Sequence, residues 1–219
     1  MTPEEILNEI AEQTRVCTRC KLHHSRKNAV PGDGNPYTKV LFIGEGPGFH
    51  ENEQGLPFVG AAGIFLDELL DDAGLKRDEV FITNVVKCRP PGNRDPLPEE
   101  QEACKPYLER QIATIDPDVI VTLGRVSMGY FINNGKISLI HGREFWSTGR
   151  MVIPMYHPAA ALHQPSLRGV VKEDFVKLSG LIKKAKTARK STLSQNEKGQ
   201  ETPGEDPPQD NGADQLSLF

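Results

Sequence analysis

The sequence predicts an α/β fold around a parallel sheet, and three observations lead to that prediction. Four short apolar runs are rich in β-branched residues, and none has the polar alternation of a strand with one face in water. Helical patterns separate the runs, which is the order expected of right-handed strand–helix–strand crossovers. A chain of 219 residues is also long enough to bury a core in one domain. The predicted strands occupy residues 40–43, 80–83 with 85 and 86, 119–123 and 151–155.

Local signals predict the helices. Thr2, with the proline and two glutamates that follow it, forms a helix start: a capping hydroxyl, a first-turn proline and acids at the positive helix end. This helix should run to about Arg15. Residues 136–150 are predicted to form a small hairpin around Gly142 and Gly149. Further helices are predicted at residues 61–73, 98–115, 125–131 and 166–188.

Composition divides the chain into three parts. Residues 1–190 carry the predicted strands and helices and form the expected domain. Residues 191–214 contain almost nothing apolar and are predicted to be a disordered acidic linker, whereas residues 215–219 are apolar again. From residue 191 onward six acids and one base give a charge of −5, so residues 1–190, with 25 bases and 24 acids, stand at +1. A local basic face for nucleic acid therefore remains compatible with the net charge of −4.

The sequence predicts a soluble, cytoplasmic protein with no membrane partner. No run approaches the roughly 18 uninterrupted apolar residues that a membrane span needs. The first residues include acids where a signal peptide would have a basic and then an apolar stretch. In a reducing compartment the four cysteines are expected to hold a metal rather than to form two disulfides.

Polar residues follow three of the predicted strands at the point where each ends. Glu45 lies in a glycine-rich loop after the first strand, Asn84 ends the second, and His157 follows the last, kept out of a helix by the proline after it. Taken alone, such a glycine loop is more often a tight turn, and such a histidine is more often structural. Together they predict a binding site, because ligands of parallel sheets bind at the carboxyl edge of the strands.

Four motifs, in this order, resemble those of the family 4 uracil-DNA glycosylases, the iron–sulfur branch of the uracil glycosylase superfamily. They are GEGPG (residues 44–48), LPFVG (56–60), ITNVVKCRPPGNR (82–94) and YHPAA (156–160). The resemblance extends from about residue 17 to 178. It implies a three-layer α/β/α sandwich around a four-stranded parallel sheet. It also implies a repair enzyme that flips uracil out of single- or double-stranded DNA and hydrolyses its N-glycosidic bond, leaving an abasic site.

The resemblance implies a role for each residue of the site. Phe58 matches the aromatic residue that stacks on the flipped uracil, and the amide of Asn84 matches the one that pairs with the edge of the base. His157 matches the histidine that donates to a uracil carbonyl oxygen, where negative charge develops. For Glu45 two roles stay open: polarising the attacking water, or stabilising the sugar cation.

Further positions belong to the expected pocket and its rim. Gly44 and Gly46 are expected to let the backbone approach the base. Glu51 matches a glutamate beside C5 of uracil that excludes the methyl group of thymine, with a solvated surface acid as the alternative. Family members commonly carry a leucine wedge four residues after the motif histidine; here that position is Ala161, so Leu162 or a neighbour is the candidate.

The four cysteines suit either a tetrahedral zinc ion or a [4Fe–4S] cluster. Cys17 and Cys20 lie close together in a loop, Cys88 follows the second strand, and Cys104 lies in a predicted helix. These positions match the cluster ligands of the family, so the resemblance implies a structural [4Fe–4S] cluster. The cluster is expected to brace a loop that meets DNA phosphates through Arg89, Asn93 and Arg94.

The end of the chain resembles the short peptide by which bacterial repair proteins dock on the sliding clamp. A disordered tether that ends in apolar anchors is the expected form of such a ligand. An accidental apolar terminus is the alternative, and the protein is expected to be a monomer. The candidate anchors are Gln215, Leu216, Leu218 and Phe219.

The sequence favours two other functions less. A uracil-DNA trapping protein of the same superfamily would carry an inserted Arg-rich loop ending in histidine, and residues 88–98 are short and contain no histidine. A nucleotide-binding module would use the glycine loop, but the lysine of a P-loop does not follow it. Both are therefore less favoured than a monofunctional glycosylase.

Overall fold

One mixed sheet of six strands forms the centre of the described part of the chain. The computed structural model describes residues 1–198, with side chains as far as residue 189. The sheet order is β1-β3-β2-β4-β6-β5, and the four inner strands are parallel to one another. The strands are β1 (Asp33–Gly34), β2 (Val40–Gly44), β3 (Phe81–Asn84), β4 (Val119–Leu123), β5 (Phe145–Ser147) and β6 (Arg150–Met155).

The described part of the chain also contains eight α-helices. The first begins as its sequence predicts: the Thr2 hydroxyl accepts from the Glu5 N–H at 3.2 Å, and the Glu5 carboxylate accepts from the Thr2 N–H at 2.8 Å. The helices are α1 (Pro3–Arg15), α2 (Phe49–Gln54), α3 (Ala61–Asp72), α4 (Pro98–Ile115), α5 (Arg125–Gly129), α6 (Ile137–Ile140), α7 (Pro158–His163) and α8 (Leu167–Lys198).

The α/β class and the parallel centre are confirmed, but the prediction of a four-stranded, wholly parallel sheet is wrong. β1 pairs antiparallel with β3 at one edge, and β5 pairs antiparallel with β6 at the other. The free edges of a sheet present unpaired backbone groups, and these two short segments satisfy part of them. The hairpin predicted in residues 136–150 is present as β5–β6, but it lies further along the chain, at residues 145–155, and turns at Gly149. The first part of the predicted range is the helix α6, and Gly142 lies just after it.

Helices cover both faces of the sheet and create two cores. Alternate residues of each inner strand point to opposite faces. Because both faces are covered, β2, β3 and β4 are buried throughout, and β6 is buried at every residue but its first. On one face Phe42 and its neighbours pack against α3, α7 and α8, including a ring contact of 6.2 Å between Phe42 and Phe175. On the other face Leu41 and Ile43 pack with α1, α4 and α5. This layering explains why the strand runs lack polar alternation.

The last helix is longer than the sequence predicts. α8 continues to Lys198, beyond the predicted end at residue 188, so the first part of the predicted linker is helical. The rest of the linker, residues 199–214, and the apolar peptide at residues 215–219 lie outside the described residues. Among the helices that the structure describes, none is both long and apolar enough to cross a bilayer.

Candidate active site

Three strand ends bring the candidate residues to one edge of the sheet. Gly44 ends β2 beside Asn84, its register partner at the end of β3. The backbone then stays paired past both strands, because Val85 N–H donates to the Gly44 carbonyl at 3.0 Å and Val86 N–H to the Glu45 carbonyl at 3.1 Å. β6 ends at the same edge, two residues before His157.

Asn84 is a buried amide without a protein partner for its oxygen. The residue is 2% exposed, and its Oδ1 accepts no hydrogen bond from any residue in the described part of the chain. Gly44 makes room for it: a Cβ there would collide with the Asn84 amide and would lie 2.9 Å from the Phe58 ring. A buried polar atom left without a partner is costly, so this oxygen is suited to a ligand.

The Phe58 ring forms one wall of the site and is held by its own loop. Phe58 has a left-handed backbone with φ of 50°, which is strained for a non-glycine residue. Glu51 supports the loop directly after it, because one carboxylate oxygen accepts from the Val59 and Gly60 N–H groups at 2.8 and 2.9 Å. The Phe58 ring is 6% exposed and lies 5.5 Å from the His157 ring, centroid to centroid, at 26°.

His157 is the N-cap residue of α7, which fixes its tautomer. Its Nδ1 accepts a hydrogen bond from the Ala159 N–H at 3.1 Å, so Nδ1 carries no proton and the proton of a neutral ring lies on Nε2. Burial lowers the pKa of His157 to about 4, against an opposing effect of the Glu51 charge. The imidazole is therefore neutral near pH 7 and has one N–H to donate.

Glu45 lies half-buried in the glycine loop between two charged residues that are distant in sequence. Burial and then the negative charge of Asp95 raise the pKa of Glu45 to about 7, while Arg125 acts in the opposite direction. Asp95 and Arg125 form an ion pair with each other. A carboxylate whose pKa lies near neutral pH is suited to accept a proton.

These side chains line one pocket of about 340 Å³, large enough for a pyrimidine. Gly44 lies behind the pocket wall, under Asn84 and Phe58. The predicted residues on the pocket wall are Glu45, Gly46, Glu51, Phe58, Asn84, Asn93, Arg94 and His157.

The four cysteines, all free thiols, line a second, narrow cavity on the α1–α4 side of the sheet. Arg26 Nη1 donates to the Cys88 sulfur and the Lys87 backbone N–H to the Cys104 sulfur, each at 3.3 Å. Among the described residues, no three His, Cys, Asp or Glu side chains form a group that could hold a metal ion. All four thiols thus face one common space.

A sequence model of the uracil DNA glycosylase superfamily matches residues 31–178. The chain belongs to this superfamily. It is 47% identical over 188 residues to the type-4 uracil-DNA glycosylase of Thermotoga maritima, covering 84% of this chain and 98% of that protein. It is also 49% identical over 185 residues to the type-4 uracil-DNA glycosylase of Sulfurisphaera tokodaii, covering 80% and 84%, and 46% identical over 197 residues to that of Saccharolobus solfataricus, covering 85% and 89%.

Of the residues predicted to meet DNA in the loop after β3, Asn93 and Arg94 line the pocket and Arg89 does not. Arg89 donates through Nε to Asn93 at 2.8 Å, and its guanidinium lies 5.2 Å from the ring of the exposed Phe49. The Arg94 guanidinium donates two hydrogen bonds to the Glu100 carboxylate, at 2.7 and 2.8 Å. Because Glu100 holds the Arg94 guanidinium, Arg89 is the more available of the two arginines for contact with a phosphate.

Two neighbouring residues of α7, Ala161 and Leu162, differ in their exposure to solvent. Ala161, four residues after His157, is 3% exposed and packs in the core, so it faces away from solvent. Leu162, the next residue, is 39% exposed on the same short helix that His157 caps. Within α7, Leu162 is the large apolar side chain that is exposed to solvent.

The sequence did not indicate two helices beside the pocket, or several residues that line it or lie next to it. α2 follows the glycine loop directly, where no helix was expected before residue 60, and carries Glu51. α7 brings Ala159 and His163 to the pocket, and their spacing of four would have indicated a shared helical face. Asp95 and Arg125 had no sequence signal, because only the fold brings them to Glu45.

Proposed function

We propose that the protein is a monofunctional uracil-DNA glycosylase of base-excision repair. It extrudes uracil from DNA, hydrolyses the bond between N1 of the base and C1′ of deoxyribose, and releases free uracil and an abasic site. The observation that carries the proposal is the buried Asn84 amide, with an unpartnered oxygen, in a pocket walled by Phe58 and a neutral His157. The type-4 uracil-DNA glycosylases that resemble the chain over most of its length support it.

The amide of Asn84 reads the edge of the base. Its oxygen accepts from N3–H of uracil and its nitrogen donates to O4, while the Phe58 ring stacks on the base. Cytosine offers an acceptor at N3 and a donor at C4, so two buried groups would then be mispaired. A site built from such groups rejects the wrong base strongly.

His157 acts on the charge that leaves with the base. As the C1′–N1 bond breaks, the bonding electron pair moves to uracil, and negative charge accumulates on its ring and carbonyl oxygens. The Nε2–H of the neutral imidazole donates to one of these oxygens and stabilises that charge. Protonation of the released base by solvent completes the reaction.

Glu45 acts on the sugar side. A water adds to C1′, and its proton is lost to the Glu45 carboxylate if this residue is the base; alternatively, the carboxylate stabilises the positive sugar electrostatically. Both roles require the ionised form. No lysine lines the pocket among the described residues, which supports hydrolysis without a lyase step.

Glu51 contributes to discrimination against thymine. Its carboxylate lines the pocket and is held by two backbone N–H groups, so its position is fixed. We assign it to the wall beside C5 of uracil, where a methyl group would meet it. The same contacts hold the strained Phe58 loop, which connects base selection to stacking.

We assign the cysteines to a [4Fe–4S] cluster rather than to zinc. Either group takes four thiolates, and all four cysteines line one cavity. The resemblance to the iron–sulfur family of glycosylases favours the cluster, and the N–H donors from Lys87 and Arg26 supply hydrogen bonds to the sulfurs of the kind that tune such clusters. Cys17, Cys20, Cys88 and Cys104 would hold it. Its contribution is structural, joining the end of α1 to the exit of β3 and to α4.

Cys88→Ser should remove the cluster and destabilise the domain. We expect loss of iron and of visible absorption, with a fall in Tm of about 10 °C, since roughly 3 kcal/mol corresponds to that shift in a domain of this size. Metal analysis, absorbance and thermal unfolding measure these effects. A colourless zinc-loaded native protein with normal activity would contradict the assignment.

Leu162→Ala should slow excision from duplex DNA roughly tenfold and leave single-stranded DNA unaffected. The leucine would fill the gap left by the extruded base, which only a duplex has. Single-turnover rates on both substrates measure the effect, with Leu139→Ala, a more exposed leucine on α6 that does not line the pocket, as the matched control. An unchanged ratio between the two substrates for Leu162→Ala would exclude this residue as the wedge.

We further propose that the peptide at residues 215–219 docks on the sliding clamp and that the enzyme acts as a monomer in the cytoplasm. Phe219→Ala should abolish clamp pull-down and leave excision from oligonucleotides unchanged, because the anchor lies outside the catalytic domain. Ser217→Ala, between the anchors, is the control. Loss of excision on deleting residues 215–219 would instead mean that the peptide belongs to the folded domain.

The proposed activity is tested by incubating the protein with a DNA strand that contains one uracil. Chromatography should detect free uracil in amounts equal to the alkali-labile sites seen on a gel. Asn84→Ala should lose most of this activity, whereas Asn8→Ala, an exposed asparagine on α1, should retain it. A covalent protein–DNA adduct without free uracil would favour the trapping protein instead.

A further inference from the structure

Lys87 is a fully buried lysine that the mechanism above does not use. It is 0% exposed, and its Nζ donates to three neutral oxygens: Thr83 Oγ1 at 2.6 Å, Gln111 Oε1 at 2.6 Å and the Asn84 carbonyl at 2.7 Å. An ammonium has three N–H donors, so each one is satisfied. No carboxylate in the described part of the chain forms an ion pair with it. Burying an ammonium is costly, and here its three hydrogen bonds offset part of that cost.

The three acceptors belong to one network that joins the end of β3 to its surroundings. Thr83 Oγ1 also donates to the Pro31 carbonyl at 2.8 Å, and the Gln111 amide donates to the same carbonyl at 2.7 Å. Lys87 therefore ties β3 to α4 and to the segment before β1. One of the three acceptors of Lys87 is the backbone carbonyl of Asn84, the residue whose side-chain amide lines the pocket.

This contact bears on how the Asn84 amide is aimed. With its oxygen unpartnered, the amide gains no orientation from a hydrogen bond at that atom, and the residue beside it on β2 is a glycine. The position of the Asn84 backbone therefore decides where the amide points. A displacement of about 1 Å in a reacting site can lower a rate about 100-fold.

We propose that Lys87 is a positioning residue for uracil excision, which fixes the Thr83–Asn84 backbone and thereby aims the Asn84 amide at the base. The proposal rests on the proposed function of Asn84. It predicts that Lys87 acts through Asn84, so its contribution to the rate disappears when the amide is absent. A residue that only stabilises the fold would lower the rate by the same factor in both backgrounds.

A double-mutant cycle separates these cases. Lys87→Met, Asn84→Ala and the double variant are compared with the native chain by single-turnover excision at saturating enzyme, with iron content and Tm recorded. We expect Lys87→Met to lower the rate about 10- to 100-fold. The double variant should match Asn84→Ala within about twofold. Lys136→Met, at an exposed position, serves as the control and should leave the rate unchanged.

Equal rate losses in both backgrounds would overturn the positioning role. An Asn84→Ala variant with native activity would instead overturn the proposed function of Asn84, so the two failures are distinguishable. If Lys87→Met does not fold or loses iron, Thr83→Val removes one acceptor of the same ammonium with little change in shape. Its rate loss should again vanish in the Asn84→Ala background, and a loss that persists there would contradict the proposal.

Discussion

Replacing His157 by alanine should lower the rate of uracil excision about 100- to 1,000-fold, the usual loss when one donor to a developing oxyanion is removed. The Nε2–H is the donor, because Ala159 N–H occupies Nδ1 and burial keeps the ring neutral. Single-turnover kinetics on a uracil-containing oligonucleotide measure the loss. DNA affinity should change little, since the interaction strengthens only as charge develops on the base.

His157→Asn is the matched variant for this prediction. Asparagine is a favoured N-cap residue and can cap the start of α7. Alanine cannot, and losing the cap lowers the stability of the fold by about 1 kcal/mol. Both variants lack the imidazole donor, so both should lose excision, but His157→Asn should retain more of the native Tm. If His157→Asn excises uracil within a few-fold of the native rate, His157 is a helix cap and not a donor to the base.

Glu45→Gln should lower excision by about 100- to 10,000-fold, the range expected on removing a general base. In the native chain the rate should rise about tenfold per pH unit below pH 7 and level off above it. The reason is that the pKa of Glu45 is raised to about 7 and only the ionised carboxylate acts. Single-turnover rates measured from pH 5 to 9 give this rising part of the pH profile, its acid limb.

Asp95 and Arg125 carry opposite charges beside Glu45, so removing each charge should shift the pH dependence of the rate in the opposite direction. Asp95→Asn removes a negative charge that raises the pKa of Glu45, so the acid limb should move to lower pH. Arg125→Gln removes a positive charge that lowers it, so the limb should move to higher pH. The limb should be missing from the residual activity of Glu45→Gln. Displacement of the limb in the same direction by both variants would mean that another group titrates.

The parallel centre of the sheet and the three strand ends could be predicted because they depend on local pattern. Buried strands lack polar alternation, and parallel strands place their carboxyl ends at one edge, which is enough to bring Asn84 and His157 together. The edge strand β5 was expected only as part of a hairpin, and the other edge strand, β1, could not be predicted. β1 consists of Asp33 and Gly34, residues without strand propensity, which pair because β3 presents a free edge.

The electrostatics of the site was also beyond prediction from sequence, since it arises from long-range contacts. Asp95 and Arg125 reach Glu45 from distant parts of the chain, and Lys87 reads as an ordinary lysine until its three acceptors are seen. Glu51 was expected at the pocket wall and lies there. Its hold on the loop after Phe58 depends on α2, a helix that the glycine-rich sequence before it did not indicate.

A crystal structure of the protein with free uracil tests the central claim most directly, namely that this pocket holds an extruded pyrimidine. We expect the uracil ring to stack on Phe58, with N3–H and O4 on the Asn84 amide and a carbonyl oxygen within hydrogen-bond distance of His157 Nε2. Uracil bound elsewhere on the protein, or bound here with its pairing edge turned away from Asn84, would contradict the account.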